Sequence, residues 1–449
     1  MAFSDRASPS SRCSSLGVLL VAESAKHFAR VPGPWPGTSR LRFVRVLVVG
    51  SGGREHALAW KLAQSPAVEE LHAAPGNPGI ARLGECHPIR AEDGESMLAL
   101  ARTLSADLVV IGPETPLVAG VADELRRGGV AVFGPSAAAA QIEGSKTFAK
   151  EVMRAAGVPI AETMSVARIP CVVKADGLAA GKGVFMCRTQ EELDEALLAV
   201  KTLGDEFVIE DLLAGEELSL FALVDGSNIL PLPESRDYSR VGDGDTGPNT
   251  GGMGSYSPVP ELDASQVAQL AEAIHRPVVE ELASRGTPFI GCLYAGLMLT
   301  ADGPRVLEFN CRFGDPETQT IIPRIEGDLA EALLAAATGD LGELELAAAE
   351  TAAVTVVLAA ERYPEGRDAG SAIEGVERAE ADGALVFHAG TAIRNGQLAT
   401  SGGRILNVTG LGDTLEEARA RAYEACERIS FPGARYRSDI AAKAVNIAG

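Results

Sequence analysis

Apolar and polar residues alternate along Val306-Leu307-Glu308-Phe309-Asn310-Cys311-Arg312. Side chains change face at every step of a strand. The pattern predicts one face of Leu307, Phe309 and Cys311 packed into a core. The opposite face then carries Glu308, Asn310 and Arg312 in a row: an anionic oxygen, a neutral oxygen and a fixed cation. Magnesium takes hard oxygen ligands and shares its shell with substrate phosphates. A guanidinium one step further on can meet charge developing on a transferring phosphoryl group. Taken alone, the row also describes the wet side of a half-buried edge strand.

The continuous apolar run Val44-Arg45-Val46-Leu47-Val48-Val49-Gly50 predicts a buried parallel strand. Ser51-Gly52-Gly53-Arg54-Glu55-His56 then turns the chain into an amphipathic helix from Ala57 to Ala63. The turn resembles a dinucleotide fingerprint, but Glu55 stands where the third glycine belongs. Strand, glycine turn and helix N-terminus predict a phosphate seat rather than a dinucleotide site. A doubly wound domain without ligand is the alternative. Strands at Asp107–Ile111 and Val130–Phe133 end in Gly112-Pro113-Glu114 and Gly134-Pro135, where open α/β sheets bind ligands.

Further along, Cys171-Val172-Val173-Lys174 reads as a strand feeding Ala175-Asp176-Gly177-Leu178-Ala179-Ala180-Gly181-Lys182-Gly183. The spacing is one residue short of a P-loop, Gly183 replaces its Ser/Thr, and Val184–Cys187 again reads as strand. The glycines therefore predict a flap between two strands, with Lys174 at its root and Lys182 at its tip. Phe207–Leu220 reads as strand, bend, strand. The bend Glu210–Leu213 offers an apolar slot and backbone groups for a purine, and Glu217 an acid for ribose hydroxyls. From Asp243 to Tyr256 the chain is a glycine-rich loop from which no core is expected, and such loops are functional or disordered. Gly291–Leu299 forms a strand, and Asp302-Gly303 a hairpin turn pairing it with the opening row. Beyond Leu346 come strands Ala353–Leu358 and Arg404–Val408. A helix capped by Thr414 and Glu417 follows, with an apolar stripe of Leu415, Ala418, Ala422, Cys426 and Ile429. His388, alone in a turn, reads as structural.

Composition narrows the classes. The net charge of -21 opposes binding to nucleic acid or anionic membranes. The 7 cysteines have no paired spacing, which fits reduced thiols in a cytosol. No apolar run spans a bilayer. Residues 1–43 are rich in Ser, Pro and Arg and read as a disordered extension or an artefact of start assignment, an organelle transit peptide and, more weakly, a secretory signal around Leu16 to Ala22 being the alternatives. The expected layout is a Rossmann-like domain over 44–147, a unit over 148–345 with a lid at about 160–222, and a C-terminal domain over 346–449.

These motifs in this order resemble the phosphoribosylamine–glycine ligases of the ATP-grasp superfamily. The resemblance rests on Gly52–Ala57, Gly112–Glu114, Glu143–Lys146, Lys174–Gly183, Asp245–Gly254 and Phe309–Glu317. It implies a multidomain α/β and α+β fold: a Rossmann-like N-terminal domain, an ATP-grasp unit with a small lid, and a C-terminal α+β domain closing the cleft. It implies that Lys146 and Lys174 contact ATP phosphates and that Gly181, Lys182 and Gly183 cover them. Glu210 and Leu213 would hold adenine and Glu217 the ribose. Glu308 and Asn310 would bind Mg2+ or Mn2+, and Arg312 would be catalytic. Gly52, Gly53, Glu55 and Glu114 would line the phosphoribosylamine site, the glycine turn seating its 5′-phosphate. Asp315 and Glu317 would lie near the amine-bearing substrate.

The implied reaction joins glycine to phosphoribosylamine at the expense of ATP, in a cytoplasmic monomer without nucleic-acid or membrane partners. Another ATP-grasp carboxylate–amine ligase, or a non-catalytic nucleotide-binding regulator, are the rivals. The sequence departs from the family at Arg236, Tyr238 and Ser239, where Gln, His and Lys often stand. A helix usual between Ser165 and Pro170 is missing, and Ala295-Gly296-Leu297 lacks a third metal-binding acid.

Overall fold

The run Val44–Gly50 is the middle strand of a five-stranded parallel sheet. The order across the sheet is Glu85–Cys86, Val68–Pro75, Val44–Gly50, Leu108–Ile111, Val132–Phe133. Val46 and Val48 join one core while Leu47 and Val49 join another, which is why the run is apolar throughout. Val68–Pro75 was not foreseeable from alternation, because only Leu71 to Ala74 are buried and Glu69, Glu70 and His72 break the pattern. Chain order reverses on the two sides of Val44–Gly50. A crevice therefore opens at the carboxyl ends of Val44–Gly50 and Leu108–Ile111, where the glycine turn and Gly112-Pro113-Glu114 lie. The helix begins at Gly53, directly off the turn.

The computed structural model describes residues 43–178, 183–204 and 206–448. Expectations for the segment before Phe43, and for Gly181 and Lys182, lie outside the described residues. Cys171–Ala175 pairs antiparallel with both Val184–Cys187 and Phe207–Asp211. A helix, Gln190–Leu203, with a Thr189/Glu192 capping box, packs on this small sheet. Cys171, Val173, Cys187, Leu193 and Val200 give it a core of its own. Strands therefore flank the glycine-rich segment on both sides, as expected, and 165–170 holds no helix.

Glu216–Asp225, Ile290–Thr300 and Gly303–Asn310 run antiparallel in a four-stranded sheet edged by Ile229–Pro231. The expected hairpin closes between Thr300 and Gly303. Its alternation carries one correction. Gly296 faces Glu308 and Leu297 faces Val306, so Leu307 is an extra, bulged residue. Val306, not Leu307, is buried with Phe309 and Cys311. The polar row survives because the bulge precedes it.

A third sheet orders Arg236–Asp237, Gly254–Ser257, Ala352–Ala359, Arg404–Gly412 and Leu385–His388. Here the expectation that no core forms between Asp243 and Tyr256 fails. Gly254–Ser257 is a fully buried strand, and Met253 and Tyr256 are core residues. Its Gly and Ser residues conceal it, but small side chains are what its surroundings admit: a Cβ at Gly254 would crowd Ile440 and the Thr355 carbonyl. The helix Leu415–Arg428 buries its expected stripe. Thr414 Oγ1 accepts from the Glu417 amide, while Glu417 reaches back to the amide of Asp413 rather than of Thr414. No helix among the described residues is long and apolar enough to cross a membrane.

Candidate active site

Glu308 and Asn310 emerge from the same side of the ribbon, as the alternation predicts. Glu308 meets Lys146 at 3.5 Å, and its side chain keeps 39% of its exposure. Burial pushes its carboxyl up, but Lys146, Lys174 and Arg312 carry it below the usual range, so it is ionised. Lys146 is the first residue of the helix Lys146–Ala155, whose cap, Ser145, accepts from the Phe148 amide. An ionised carboxylate and an amide carbonyl on one face suit a hard divalent cation, so these two residues fit the metal that the sequence implies.

Lys174 sits behind this pair. It donates to the Leu307 carbonyl at 3.1 Å, the oxygen of the bulge. Its ammonium also lies 2.9 Å from Glu210, whose other oxygen lies 2.9 Å from Lys150. Glu210 is 1% exposed. The Glu210 carboxylate is committed to two lysines and braces Lys174. Leu213 lines a cavity of about 440 Å3 together with Leu212, Ile160 and Arg305. Glu217 is half-buried, and the register through Gly296 and Ser219 puts it on the same sheet face as Glu308; burial, then the Glu308 charge, raises its pKa.

Arg312 is held from several sides. It reaches Glu114 at 3.2 Å, Glu143 at 3.0 Å and the Asn310 carbonyl oxygen at 3.4 Å, and donates to the Phe313 carbonyl. Glu143 also accepts from the Cys311 amide at 2.8 Å. Burial disfavours the Arg312 charge, but Glu143 and Glu114 more than offset it. Burial likewise opposes ionised Glu114, yet Arg312 and Arg54 hold its pKa at about 2. Glu143 was not singled out from the sequence, although it opens the Glu143-Gly144-Ser145-Lys146 motif.

The glycine turn is filled from within. Glu55 accepts from the Gly52 amide at 2.5 Å and from Arg54 Nε at 2.5 Å. A side chain at Gly50, at Gly52 or at Gly112 would collide with Glu55, and one at Gly53 with Asn407 and Gln319. The seat expected for a phosphate at Gly52-Gly53 thus holds a carboxylate of the protein itself. Asn77 ties the turn to the C-terminal region, donating to the carbonyls of Ser51 and His388. His388 is buried, as a structural histidine would be, with its amide on His56 Nδ1 and its own Nδ1 near Thr391.

Asp315 pairs with Arg404 at 3.0 Å and accepts from Gln319 at 2.7 Å. Glu317 accepts from the Tyr294 hydroxyl at 2.9 Å, and Ser219 links Tyr294 to Asp237 at 3.0 and 3.2 Å. Burial raises the pKa of both acids at the ends of this chain. Arg404 closes a polar turn, Ser401-Gly402-Gly403-Arg404, that could face a ligand, whereas Asp237, Ser219 and Tyr294 carried no isolated signal in the sequence, since their partners lie far away along the chain. The departures from the family pattern are built into the fold. Arg236 donates to the Glu217 carbonyl, Tyr256 and Glu261. The Tyr238 ring lies under Arg437, and the Ser239 carbonyl accepts from Thr250.

Three family models, all of phosphoribosylglycinamide synthetase, match in succession: the N domain over 44–143, the ATP-grasp (A) domain over 144–318 and the C domain over 353–443. The phosphoribosylamine–glycine ligase of Brucella melitensis biotype 1 is 48% identical over 426 residues, 90% of this chain and 98% of that protein. That of Streptomyces coelicolor is 49% identical over 417 residues, 89% and 99% of the two chains. The crystal structure of phosphoribosylamine–glycine ligase from Thermotoga maritima superposes with a TM-score of 0.76 at 37% identity, covering 88% of this chain and all of that one. The biotin carboxylase domain of a Hydrogenobacter thermophilus 2-oxoglutarate carboxylase shares the fold alone, at 16% identity and a TM-score of 0.66. Matches along the whole length of the ligases do not favour a different ATP-grasp ligase or a non-catalytic nucleotide binder. With its three domain models matched in succession and nearly the whole length of the ligases covered, this chain belongs to the phosphoribosylglycinamide synthetase family of ATP-grasp ligases.

Proposed function

We propose that the protein joins glycine to 5-phosphoribosylamine, converting ATP to ADP and phosphate and yielding glycinamide ribonucleotide for purine biosynthesis. The observation that carries this reading is Arg312, locked by Glu114 and Glu143 two residues beyond the metal-suited pair Glu308 and Asn310, with Lys146 on Glu308. A carboxylate is a poor acyl donor because its leaving group would be oxide. In the first step a glycine carboxylate oxygen attacks the γ-phosphorus of ATP, the bond to the β-phosphate oxygen breaks, and ADP departs. In the second, the phosphoribosylamine nitrogen attacks the acyl carbon of glycyl phosphate, phosphate leaves, and the nitrogen loses a proton.

The chain's own residues align these groups and neutralise charge. Lys146 and Lys174 bind the nucleotide's phosphates, with Gly183 at the end of the flap that covers them. Leu213 borders the adenine slot, and Glu217 takes the ribose. Arg312 meets the charge on the transferring phosphoryl group. Glu308 and Asn310 hold Mg2+ or Mn2+, which when bound draws charge off the phosphate oxygens. Asp315 and Glu317 lie on the side of the amine-bearing substrate, with Glu114 and the glycine turn at its far end. Ser219 and Tyr294 join Asp237 to Glu317, so the two acids are held together on the amine-bearing side of the cleft. The N-terminal part over 44–147 and the C-terminal part over 346–449 flank the ATP-grasp unit in a cytoplasmic monomer.

Phosphate release with phosphoribosylamine generated in situ tests the assignment. Release should require glycine and phosphoribosylamine together. Release with glycine replaced by another carboxylate, or none with any pair, refutes it.

A further inference from the structure

The outer edge of the first sheet is the short strand Glu85–Cys86, beside Val68–Pro75. His72 and Glu85 are register partners on adjacent parallel strands, so their side chains leave the sheet on one face. Glu70 and His87 lie two residues away on their respective strands and return to that face. His87 extends the ladder by donating its amide to the Ala73 carbonyl. His72 Nδ1 lies 3.2 Å from His87 Nε2, and 4.0 Å from Glu85 Oε2. One nitrogen or oxygen each from His72, Glu85 and His87 converges within 4.8 Å. On its far side His72 Nε2 meets Glu70 at 3.3 Å.

We propose that His72, Glu85 and His87 form a binding site for a divalent transition-metal ion, best suited to Zn2+, distinct from the Glu308–Asn310 position. The geometry gives the reason. An ion about 2.05 Å from both ring nitrogens, set 3.2 Å apart, subtends an angle of roughly 100°, close to tetrahedral. Glu70 accepts the Nε2 proton of His72 and so leaves the Nδ1 lone pair aimed into the gap, the second-layer arrangement that metal-binding histidines use. The Glu85 side chain is 70% exposed and free to swing inward, leaving the fourth position to water. Two imidazoles with one carboxylate select zinc-like ions over magnesium. Bound there, the ion pins the short edge strand Glu85–Cys86 to Val68–Pro75.

Zn2+ titration of the metal-free full-length chain against a chromophoric chelator, with excess Mg2+ present, tests this. A parallel titration uses Co2+ for its visible spectrum. One Zn2+ should bind per chain, with a tetrahedral Co2+ spectrum. His87→Gln should abolish that binding. Glu70→Gln, at a half-exposed position, should weaken it by about 10–100-fold. Glycine-dependent ADP release should be unchanged in both variants. No Zn2+ uptake, as expected if the two rings merely share a hydrogen bond, overturns the proposal. So does uptake of equal affinity in wild type and His87→Gln.

Discussion

Two carboxylates on neighbouring sheets face lysines, and they do opposite work. Glu210 is 1% exposed, with Lys150 and Lys174 each at 2.9 Å. Glu308 keeps 39% of its side-chain exposure, with Lys146 at 3.5 Å. In the first, two cations surround one anion away from water, and removing any member strands a buried charge. In the second, the pair is open and loosely made, so a ligand can replace the lysine without exposing an orphan. Residue type is the same in both places. Access to water separates the brace from the ligand.

The largest effect that sharpens this contrast is on folding. Glu210→Gln should cost about 3–5 kcal/mol, read from the denaturant midpoint, because two buried ammonium groups lose their counter-charge. A cost below about 1 kcal/mol would break the contrast outright. Next comes chemistry. Arg312→Ala should fold yet lose about 10²-fold or more in kcat, the usual cost of removing one charge stabiliser, and a kcat within about 10-fold of wild type removes Arg312 from its assigned role. Glu308→Gln should raise the Mg2+ concentration needed for half-maximal turnover by about 10-fold, or 1.4 kcal/mol, with the unfolding midpoint unmoved. Unchanged Mg2+ dependence would reject the metal assignment. The smallest effect is on acid stability. The Glu114 pKa is depressed from an ordinary 4.5 to about 2, so its pairing with Arg312 stabilises the fold above pH 4.5 and is lost as pH falls toward 2. With part of the side chain in solvent, the loss should be about 1 kcal/mol, seen as a difference between wild type and Glu114→Gln that shrinks between pH 6 and pH 3.

The polar row Glu308, Asn310, Arg312 was readable because alternation is a local property of strands. Leu307 was misplaced because a bulge depends on the partner strand, which no run of residues announces. Gly254–Ser257 looked like loop because its burial comes from Ile440 and Ala352–Ala359, distant in the chain. Glu210 and Glu308 read alike in sequence, each an acid on a predicted strand, and only packing distinguishes them. Glu55 is the subtlest instance. It was visible as the residue standing where a glycine belongs, but its folding back into the turn is a three-dimensional fact.

The strand Gly254–Ser257 is encoded in the middle of the chain yet hydrogen-bonds to Ala352–Ala359 in the C-terminal sheet. A fragment starting near residue 346 would be born with a naked sheet margin, prone to pair with its neighbours. A fragment stopping there would strand Met253 and Tyr256 without cover. Any chimaera that exchanges C-terminal regions among relatives must therefore carry residues 236–257 along, because heredity of the sheet does not follow the order of the gene.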